Sequence, residues 1–515
     1  MRRSPAVPAI MVQGVASNVG KSLLAAALCR IFTRRGLRTA PFKAQNMALN
    51  SFVTDDGKEM GRAQALQAQA CGLDADARMN PILLKPTGQT GSQVIVMGAP
   101  TGQMRAREYQ THKSTLWKTV KRAYLSLSAG RDVMVLEGAG SPAEINLKPY
   151  DIVNMRMARF ADAHVLLAAD IDRGGAFAAL VGTMSLLGRD RARVAGYVLN
   201  KFRGDASLLT PALDAVSRRT RKPFLGIVPM LDDLRLSEED SVSFKRGESS
   251  RIFSSSASAD SANGQNLDIA VVDLPYISNF TDLDALRHEP DVRLRRVGGA
   301  AELGKPHAVI LPGSKNTLAD LRVLCKNGLA ASLVDFVGGG GTVVGICGGL
   351  QLLGRTIADP EGLEDGGEAA GLGLLDLRTR LMPEKRLRRV EGKAMSALVG
   401  KPLPVVGYEI HCGITSPCHA DSVAPVLKDM CGGILGWGRP EIDGRVRVWG
   451  VYLHGIFDKD EFRQAFLNNL RHKAQLVLRG GIVYNPESEL DRLADAVEQH
   501  IEMNKIYQLI NHYGR

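Results

Sequence analysis

A cysteine that lies between glycines is the first candidate for chemistry in this chain. Residues 345–349 read GICGG and follow the apolar run 342–344. Glycines beside a cysteine permit the sharp strand-to-helix turn that exposes a nucleophile above a sheet. A second apolar run, residues 448–453, ends at His454. Because both runs read as strands, we expect Cys347 and His454 to meet at one sheet edge as a nucleophile and its base.

A phosphate-binding loop is the second chemical signal. Residues 14–22 read GVASNVGKS and lie between an apolar, strand-like run and a helical stretch. In such a loop the backbone N–H groups at the helix start bind phosphate, a lysine reaches the terminal phosphates and a hydroxyl coordinates Mg²⁺. Lys21 and Ser22 occupy these two positions. Five residues, rather than the usual four, separate Gly14 from Gly20.

Acidic residues supply candidates for the rest of a Mg²⁺ site. Glu137 ends the apolar run 133–136 and is followed by glycines that let a ligand approach. Asp55 and Asp56 lie in a polar turn after the segment that contains Lys43. Carboxylates are the ligands that Mg²⁺ prefers, so either Glu137 or one of these aspartates could complete the coordination shell.

The elements that must position these residues alternate between strand-like and helical runs. Continuous apolar segments of this length are typical of parallel strands that are buried on both faces. The fold class is therefore α/β. The strand-like runs are residues 9–12, 133–136, 164–169 and 196–199 in the first half, then 267–272 and 308–314 before the cysteine strand.

The composition along the chain divides it into segments. A Ser-, Ala-, Gly- and Asn-rich stretch cannot bury enough apolar area to fold and reads as a linker. Apolar residues recur at helical spacing near the C-terminus. We predict a phosphate-loop domain at 1–247, a linker at 248–265, a second α/β domain at 266–465 and a helical tail at 466–515.

The charge and hydropathy of the chain limit its partners. Its 515 residues include 65 basic and 54 acidic side chains, a net charge of +11, but the basic residues are scattered and only 5% of residues are aromatic. Nucleoside phosphates and a polyanionic small molecule explain this basic excess at least as well as nucleic acid does. There is no apolar stretch long enough for a membrane span and no signal-type start. We expect a cytoplasmic protein with no nucleic-acid or membrane partner.

Many motifs in one order resemble those of the cobyric acid synthases, the glutamine-dependent amidotransferases of cobalamin biosynthesis. The resemblance runs from Val12 to about Ile510. The motifs that carry it are FKAQNM at 42–47, NSFVT at 50–54, GRAQ at 61–64, MNPILLKP at 79–86, EGAGSPAEINL at 137–147, DIDRGG at 170–175, NKFRGD at 200–205, LPGSKNT at 311–317 and YLHG at 452–455.

For the N-terminal half, the resemblance implies a phosphate-loop synthetase domain with a parallel sheet, similar to dethiobiotin synthetase. That enzyme has the same five-residue spacing in its phosphate loop. The resemblance prefers Asp56 over Asp55 as a metal ligand. It assigns ATP binding to Gly20, Lys21, Ser22 and Lys43, and Mg²⁺ coordination to Ser22, Asp56 and Glu137.

For the C-terminal half, the resemblance implies a class I glutamine amidotransferase domain. In that domain Cys347 attacks the glutamine amide and His454 transfers the proton. Gln351 matches the position that contacts bound glutamine. The backbone N–H groups of Gly348 and Gly313 form the oxyanion hole.

One position departs from the pattern of many class I domains. They place a glutamate two residues after the histidine, and this chain has Ile456 there. The cobalamin-type branch of the family usually lacks that glutamate too. What orients His454 is left open, with Asp458 and Glu409 as the candidates.

The reaction implied by the resemblance is amidation of the b, d, e and g carboxylates of adenosylcobyrinic acid a,c-diamide, which yields adenosylcobyric acid. ATP would convert each carboxylate to an acyl phosphate, and ammonia from glutamine would displace the phosphate. The implied partners are thus the corrinoid, glutamine and ATP with Mg²⁺. The oligomeric state stays open, and a homo-oligomer is compatible with the sequence.

Two other readings compete with this one. A sibling amidotransferase that acts on the a and c carboxylates shares both domains, but the motif series at 42–86 and the motif at 170–175 favour the b, d, e, g enzyme. A partitioning ATPase that binds DNA or membrane usually carries an extra lysine early in its phosphate loop. Here Gln13 and Val15 flank Gly14, and that reading does not explain a cysteine–histidine pair.

Overall fold

The chain forms two compact units, and each unit contains segments that are not consecutive in sequence. The computed structural model describes residues 7–87, 91–232, 234–236 and 266–511, and the predicted linker 248–265 lies outside these ranges. The first unit comprises Met1–Ala48, Lys58–Asp240 and Asn485–Arg515, and the second comprises Leu49–Gly57 and Ser241–Tyr484.

Two segments therefore join a unit that their place in the sequence did not indicate. Leu49–Gly57 lies in sequence within the predicted phosphate-loop domain but belongs to the second unit. Asn485–Arg515 follows the second domain but belongs to the first unit. The domain limits predicted from the sequence assigned neither segment to the unit that it joins.

The first unit is built on a six-stranded sheet in which every strand runs parallel to its neighbours. This confirms the predicted parallel α/β architecture, and the continuous apolar runs explain it because both sheet faces are covered. In spatial order the strands are Phe224–Pro229, Val194–Phe202, His164–Asp170, Ala9–Gly14, Val133–Glu137 and Thr39–Phe42.

A second, four-stranded sheet and the helices complete the first unit. The small sheet contains Gln45–Met47, Ile82–Pro86, Gly91–Val96 and Ala99–Arg105, and the short strand Glu59–Gly61 precedes a helix. The helices are Lys21–Arg34, Arg62–Ala70, Ala106–Ser128, Met155–Phe160, Ala176–Leu186, Thr210–Thr220, Pro486–His500 and Met503–Asn511.

The C-terminal residues form two helices where the apolar spacing predicted one. The break falls at Ile501, which has extended backbone and forms an antiparallel bridge with Gly226 at the edge of the parallel sheet. Leu493 and Val497 are buried in the same apolar core as Phe32. The helices are thus part of the first unit's core.

The second unit is built on an 11-stranded mixed sheet. Its first five strands run parallel and read Val292–Val297, Leu267–Val272, Ala308–Leu311, Thr342–Ile346 and Val446–Val451. The sheet continues through Ile434–Pro440, Ala424–Asp429, Leu377–Ala394, Thr356–Asp359 and Gly367–Ala370, and Leu403–Pro417 pairs with Leu377–Ala394.

Short helices and loops connect these strands. The helices are Asp284–Arg287, Ala300–Leu303, Thr317–Lys326, Leu329–Gly338, Gly348–Leu353, Ser396–Val399 and Asp460–Lys473, and the short strand Ser51–Val53 also belongs to this unit. Across residues 7–87, 91–232, 234–236 and 266–511, we find no helix that is both long enough and apolar enough to span a membrane.

Candidate active sites

The phosphate loop lies at the carboxyl end of a central strand of the first unit. Gly14 ends the strand, and Gly20 adopts φ 87° directly before the helix that begins at Lys21. A Cβ atom at Gly20 would overlap the Asn200 side chain, so both the left-handed backbone and the close approach require glycine. The ammonium group of Lys21 donates to the carbonyl of Ala16, 2.9 Å away.

Two side chains from the strand Val194–Phe202, which is two strands away in the sheet, fix the shape of this loop. The amide of Asn200 donates to the carbonyl of Val19, and the ammonium of Lys201 donates to the carbonyl of Asn18, both at 2.8 Å. These two residues were noted in the sequence as part of a motif, but no role was predicted for them.

Glu137 is the centre of a buried polar cluster beside the loop. Its carboxylate accepts hydrogen bonds from the hydroxyl of Ser22 at 2.8 Å, the ammonium of Lys43 at 2.9 Å and the amides of Gln64 and Gln67 at 3.2 and 2.7 Å. Burial raises the pKa of Glu137, but the charge and hydrogen bond of Lys43 outweigh it and leave the pKa below its usual value. The carboxylate is therefore ionised.

The structure brings together most, but not all, of the predicted ATP-site residues. Ser22, Lys43 and Glu137 are in mutual contact through the Glu137 carboxylate. Asp55 and Asp56 belong to the second unit, where the Thr54 hydroxyl donates to Asp56 at 2.5 Å. The place of Asp56 in the metal site stays a prediction.

The two glutamines of the cluster were not predicted. Gln64 and Gln67 are three residues apart on the helix Arg62–Ala70, and this spacing puts both on one face. Gln64 lies in the GRAQ motif at 61–64. The signal that could have identified both residues is a pair of glutamines at helical spacing.

In the second unit, Cys347 sits on the sharp turn that its sequence predicts. The strand Thr342–Ile346 ends immediately before it and the helix Gly348–Leu353 begins immediately after it. Cys347 has φ 52° and ψ −105°, a conformation that a non-glycine residue rarely adopts and that stores strain at functional sites. A Cβ atom at Gly349 would overlap the carbonyl oxygen of Leu311, so the turn packs too tightly for a side chain there.

His454 follows the neighbouring strand and is fully buried. Its Nδ1 atom lies 2.8 Å from a carboxylate oxygen of Asp282, and the other oxygen of Asp282 accepts from the N–H of Gly455 at 2.8 Å. Burial lowers the pKa of His454, but the charge of Asp282, its hydrogen bond and a hydrogen bond with Cys347 raise it to about 10. Asp282 thus holds the ring with Nε2 available to the thiol.

The carboxylate that orients His454 is therefore neither of the two candidates from the sequence. Glu409 instead contacts His411 at 3.1 Å and pairs with Arg388. Asp458 lies beside Gly455, whereas Nδ1 of the ring meets Asp282. Asp282 is 172 residues before the histidine in sequence, and no local pattern marks it.

The remaining predicted residues of the glutamine site surround this pair. Gln351 accepts from the Thr317 hydroxyl at 3.0 Å and donates to the Tyr452 hydroxyl at 3.3 Å. A Cβ atom at Gly313 would lie 3.2 Å from Cε1 of His454, and one at Gly348 would lie 2.7 Å from the backbone nitrogen of Ser314. The two glycines that were predicted to stabilise an oxyanion thus flank the cysteine–histidine pair.

Two family models match the chain, one in each half. A model described as a CobQ/CobB/MinD/ParA nucleotide binding domain matches residues 10–244. A model described as a CobB/CobQ-like glutamine amidotransferase domain matches residues 268–462. The two matches coincide with the halves that carry the phosphate loop and the cysteine–histidine pair.

Curated relatives align along almost the whole chain. One from Nitratidesulfovibrio vulgaris, named cobyric acid synthase, is 52% identical over 99% of this chain and 98% of its own. Another with that name, from Yersinia enterocolitica, is 47% identical over 98% of both chains. A solved glutamine amidotransferase matches 40% of this chain and 98% of its own at 14% identity, with a TM-score of 0.30.

Proposed function

The chain belongs to the cobyric acid synthase family and is a glutamine-hydrolysing ligase of cobalamin biosynthesis, and we propose that it amidates four carboxylates of one corrinoid substrate. These are the b, d, e and g side chains of adenosylcobyrinic acid a,c-diamide, and the product is adenosylcobyric acid. The observation that carries the proposal is the Cys347–His454–Asp282 arrangement on a chain whose other unit holds a phosphate loop.

In the glutamine site, His454 takes the proton of the Cys347 thiol, and the thiolate attacks the side-chain amide of glutamine. The N–H groups of Gly348 and Gly313 stabilise the oxyanion of the tetrahedral intermediate. The imidazolium returns its proton to the departing nitrogen, which leaves as ammonia. Water then cleaves the glutamyl thioester, with His454 again as the base, and releases glutamate.

In the ATP site, the residues around the loop bind nucleotide and balance its charge. Lys21 and Lys43 neutralise negative charge on the transferred γ-phosphoryl group, and the glycine-rich backbone holds the phosphates. A corrinoid carboxylate attacks that group, ADP leaves, and an acyl phosphate forms. Ammonia then displaces phosphate and gives the amide.

The donor atoms at this site suit Mg²⁺. The Ser22 hydroxyl and the ionised Glu137 carboxylate lie 2.8 Å apart, and hard oxygen donors of this kind are its preferred ligands. Ser22 and Glu137, with Asp56 as the third proposed ligand, would hold the ion. When bound, it supplies positive charge that offsets the charge of the phosphates.

Mass spectrometry of the corrinoid tests the proposal. The full chain is incubated with adenosylcobyrinic acid a,c-diamide, ATP, Mg²⁺ and glutamine, and each carboxylate that becomes an amide changes the mass by a fixed amount. Four successive steps are expected, each with one ATP and one glutamine consumed. Activity on cobyrinic acid but none on the a,c-diamide would favour the sibling enzyme, and no mass change with either would refute the proposal.

A further inference from the structure

A buried asparagine contacts the nitrogen of His454 that faces the thiol. The side-chain nitrogen of Asn279 lies 3.3 Å from Nε2 of the ring. The side-chain oxygen of Asn279 accepts the backbone N–H of Ser51 at 2.8 Å. Because an amide has one acceptor oxygen and one donor nitrogen, the hydrogen bond from Ser51 fixes the NH₂ group as the part that faces His454.

Ser51 lies on the segment Leu49–Gly57. This segment belongs to the second unit, although its sequence neighbours on both sides belong to the first unit. The segment is held near His454 at further points. Asn50 accepts the N–H of Phe280 at 3.3 Å, and the Tyr408 hydroxyl donates to the Ser51 carbonyl at 3.1 Å. The ring of Tyr408 is stacked on His454, with centroids 5.3 Å apart.

The chemistry at Nε2 creates a competition. The proton shared by Cys347 and His454 has two possible positions: on sulfur, which leaves a lone pair on Nε2 of a neutral imidazole, or on Nε2, which leaves a thiolate. The Asp282 carboxylate at Nδ1 favours the imidazolium and thus the thiolate, whereas the Asn279 amide can donate to Nε2 only in the neutral ring and so favours the thiol. The titratable groups around the ring are Asp282 at Nδ1, Cys347 at Nε2, the stacked Tyr408 and, beside Gly455, Asp458.

We propose that Asn279, oriented by Ser51, is a positioning residue that restrains glutamine hydrolysis by competing with the Cys347 proton for the Nε2 lone pair. The restraint holds while the Ser51 N–H fixes the amide. A displacement of Leu49–Gly57 lets the amide turn and frees Nε2. The rate of glutamine hydrolysis thus depends on the position of a segment whose two ends continue into the first unit. This inference rests on the proposed roles of Cys347 and His454.

The pH dependence of Cys347 alkylation in the full chain tests the inference. Asn279→Gly removes the amide, and glycine tolerates the φ of 53° at this position. Iodoacetamide labelling is followed by mass spectrometry of the Cys347 peptide, without ATP or glutamine. We expect the midpoint of the rate profile to move to lower pH by about half a unit or more, because one hydrogen bond to the neutral ring is lost.

A matched pair of substitutions tests the part of Ser51. Ser51→Ala keeps the backbone N–H and should leave the labelling midpoint unchanged, whereas Ser51→Pro removes it and should shift the midpoint in the same direction as Asn279→Gly. If Asn279→Gly fails to fold, Asn279→Ser, whose side chain is too short to bridge Ser51 and the ring, replaces it.

An unchanged midpoint, or a shift to higher pH, in a folded Asn279 variant would overturn the inference. A midpoint shift in Ser51→Ala as large as that in Ser51→Pro would also overturn it, because the backbone N–H would then be irrelevant. Labelling needs no corrinoid, so a chain that shows the expected shift but amidates no corrinoid would refute the proposed function alone. Structural damage at Asn279 that only changes access to the buried Cys347 thiol would scale the labelling rate at every pH, whereas the proposal requires the midpoint of the profile to move.

Discussion

At the scale of single residues, the glutamine site depends on a carboxylate far away in sequence. Asp282 bonds both Nδ1 of His454 and the N–H of Gly455, so it fixes the ring and the backbone that follows it. A histidine base works only when its second nitrogen is held in the correct protonation state. Asp282 therefore acts through His454 as a positioning residue.

Asp282→Asn should lower glutamine-dependent amidation by about tenfold or more. The new NH₂ group can turn toward Nδ1 and leave the proton on the wrong nitrogen. Amidation with free ammonia should stay near that of the parent chain. The control is Asp458→Asn, the carboxylate that does not meet Nδ1, and steady-state rates with each nitrogen source are the measurement. Equal losses with both sources would argue against the assigned role.

The same pair should make stability depend on pH. The folded pKa of His454, about 10, lies above its ordinary value of 6.5, so the folded state holds the proton more tightly. The stabilisation that protonated His454 gains from Asp282 is complete below about pH 6.5 and is lost as the pH rises toward 10. The melting temperature of Asp282→Asn should therefore fall furthest below that of the parent near pH 6, and the gap should narrow toward pH 10. A difference in melting temperature that is the same at every pH would contradict the contact between Asp282 and a protonated His454.

In the ATP site, Lys21 and Glu137 differ in what they do for the fold. Lys21 donates to a loop carbonyl, whereas Glu137 is buried in an ion pair with Lys43. Lys21→Ala should leave the melting temperature nearly unchanged and lower amidation about a hundredfold or more with either nitrogen source. Glu137→Gln should also destabilise the fold, because it leaves a buried ammonium without its counter-charge. Full activity in Lys21→Ala would refute the assignment.

At the scale of elements, the strand-to-helix turn at Cys347 combines strain with close packing. The strand, the turn and the start of the helix are all buried. The flanking glycines serve the packing, since the turn presses against the end of a neighbouring strand at Leu311. The local sequence thus fixes the turn because few residue types fit it.

Gly349→Ala should destabilise the second unit by about 2 kcal/mol or more, since the added methyl overlaps the Leu311 carbonyl. Gly338→Ala is the matched control, because Gly338 is an exposed residue at the end of the helix Leu329–Gly338 and a Cβ atom there meets nothing within 4 Å. Thermal unfolding measures both. A Gly349→Ala chain as stable as the control would show that the turn can relax around a side chain.

At the scale of the whole molecule, two sites with different chemistry lie in different units of one chain. The phosphate loop and Glu137 belong to the first unit, and the cysteine–histidine pair belongs to the second. In the proposed mechanism, the nitrogen donor is made in one site and consumed in the other. The two half-reactions should therefore be separable by mutation.

Cys347→Ala should abolish glutamine-dependent amidation and retain ammonia-dependent amidation at high ammonium concentration and alkaline pH, where more of the ammonia is unprotonated. His454→Ala should show the same split, because proton transfer serves only the thiol. Corrinoid mass with each nitrogen source is the measurement. Loss of both activities in a folded variant would mean that Cys347 serves the ATP site or the coupling of the units.

The sequence by itself determined the features that depend on local residue order. The apolar runs predicted the parallel strands, and the glycine-framed stretches predicted the loop before Lys21 and the turn at Cys347, because few residue types adopt these backbones. Only the tertiary structure decided that Asp282 orients His454, that Leu49–Gly57 joins the second unit and that Asn485–Arg515 joins the first unit. These depend on contacts between residues far apart in the chain, and periodicity in a single sequence carries no information about which distant segments meet.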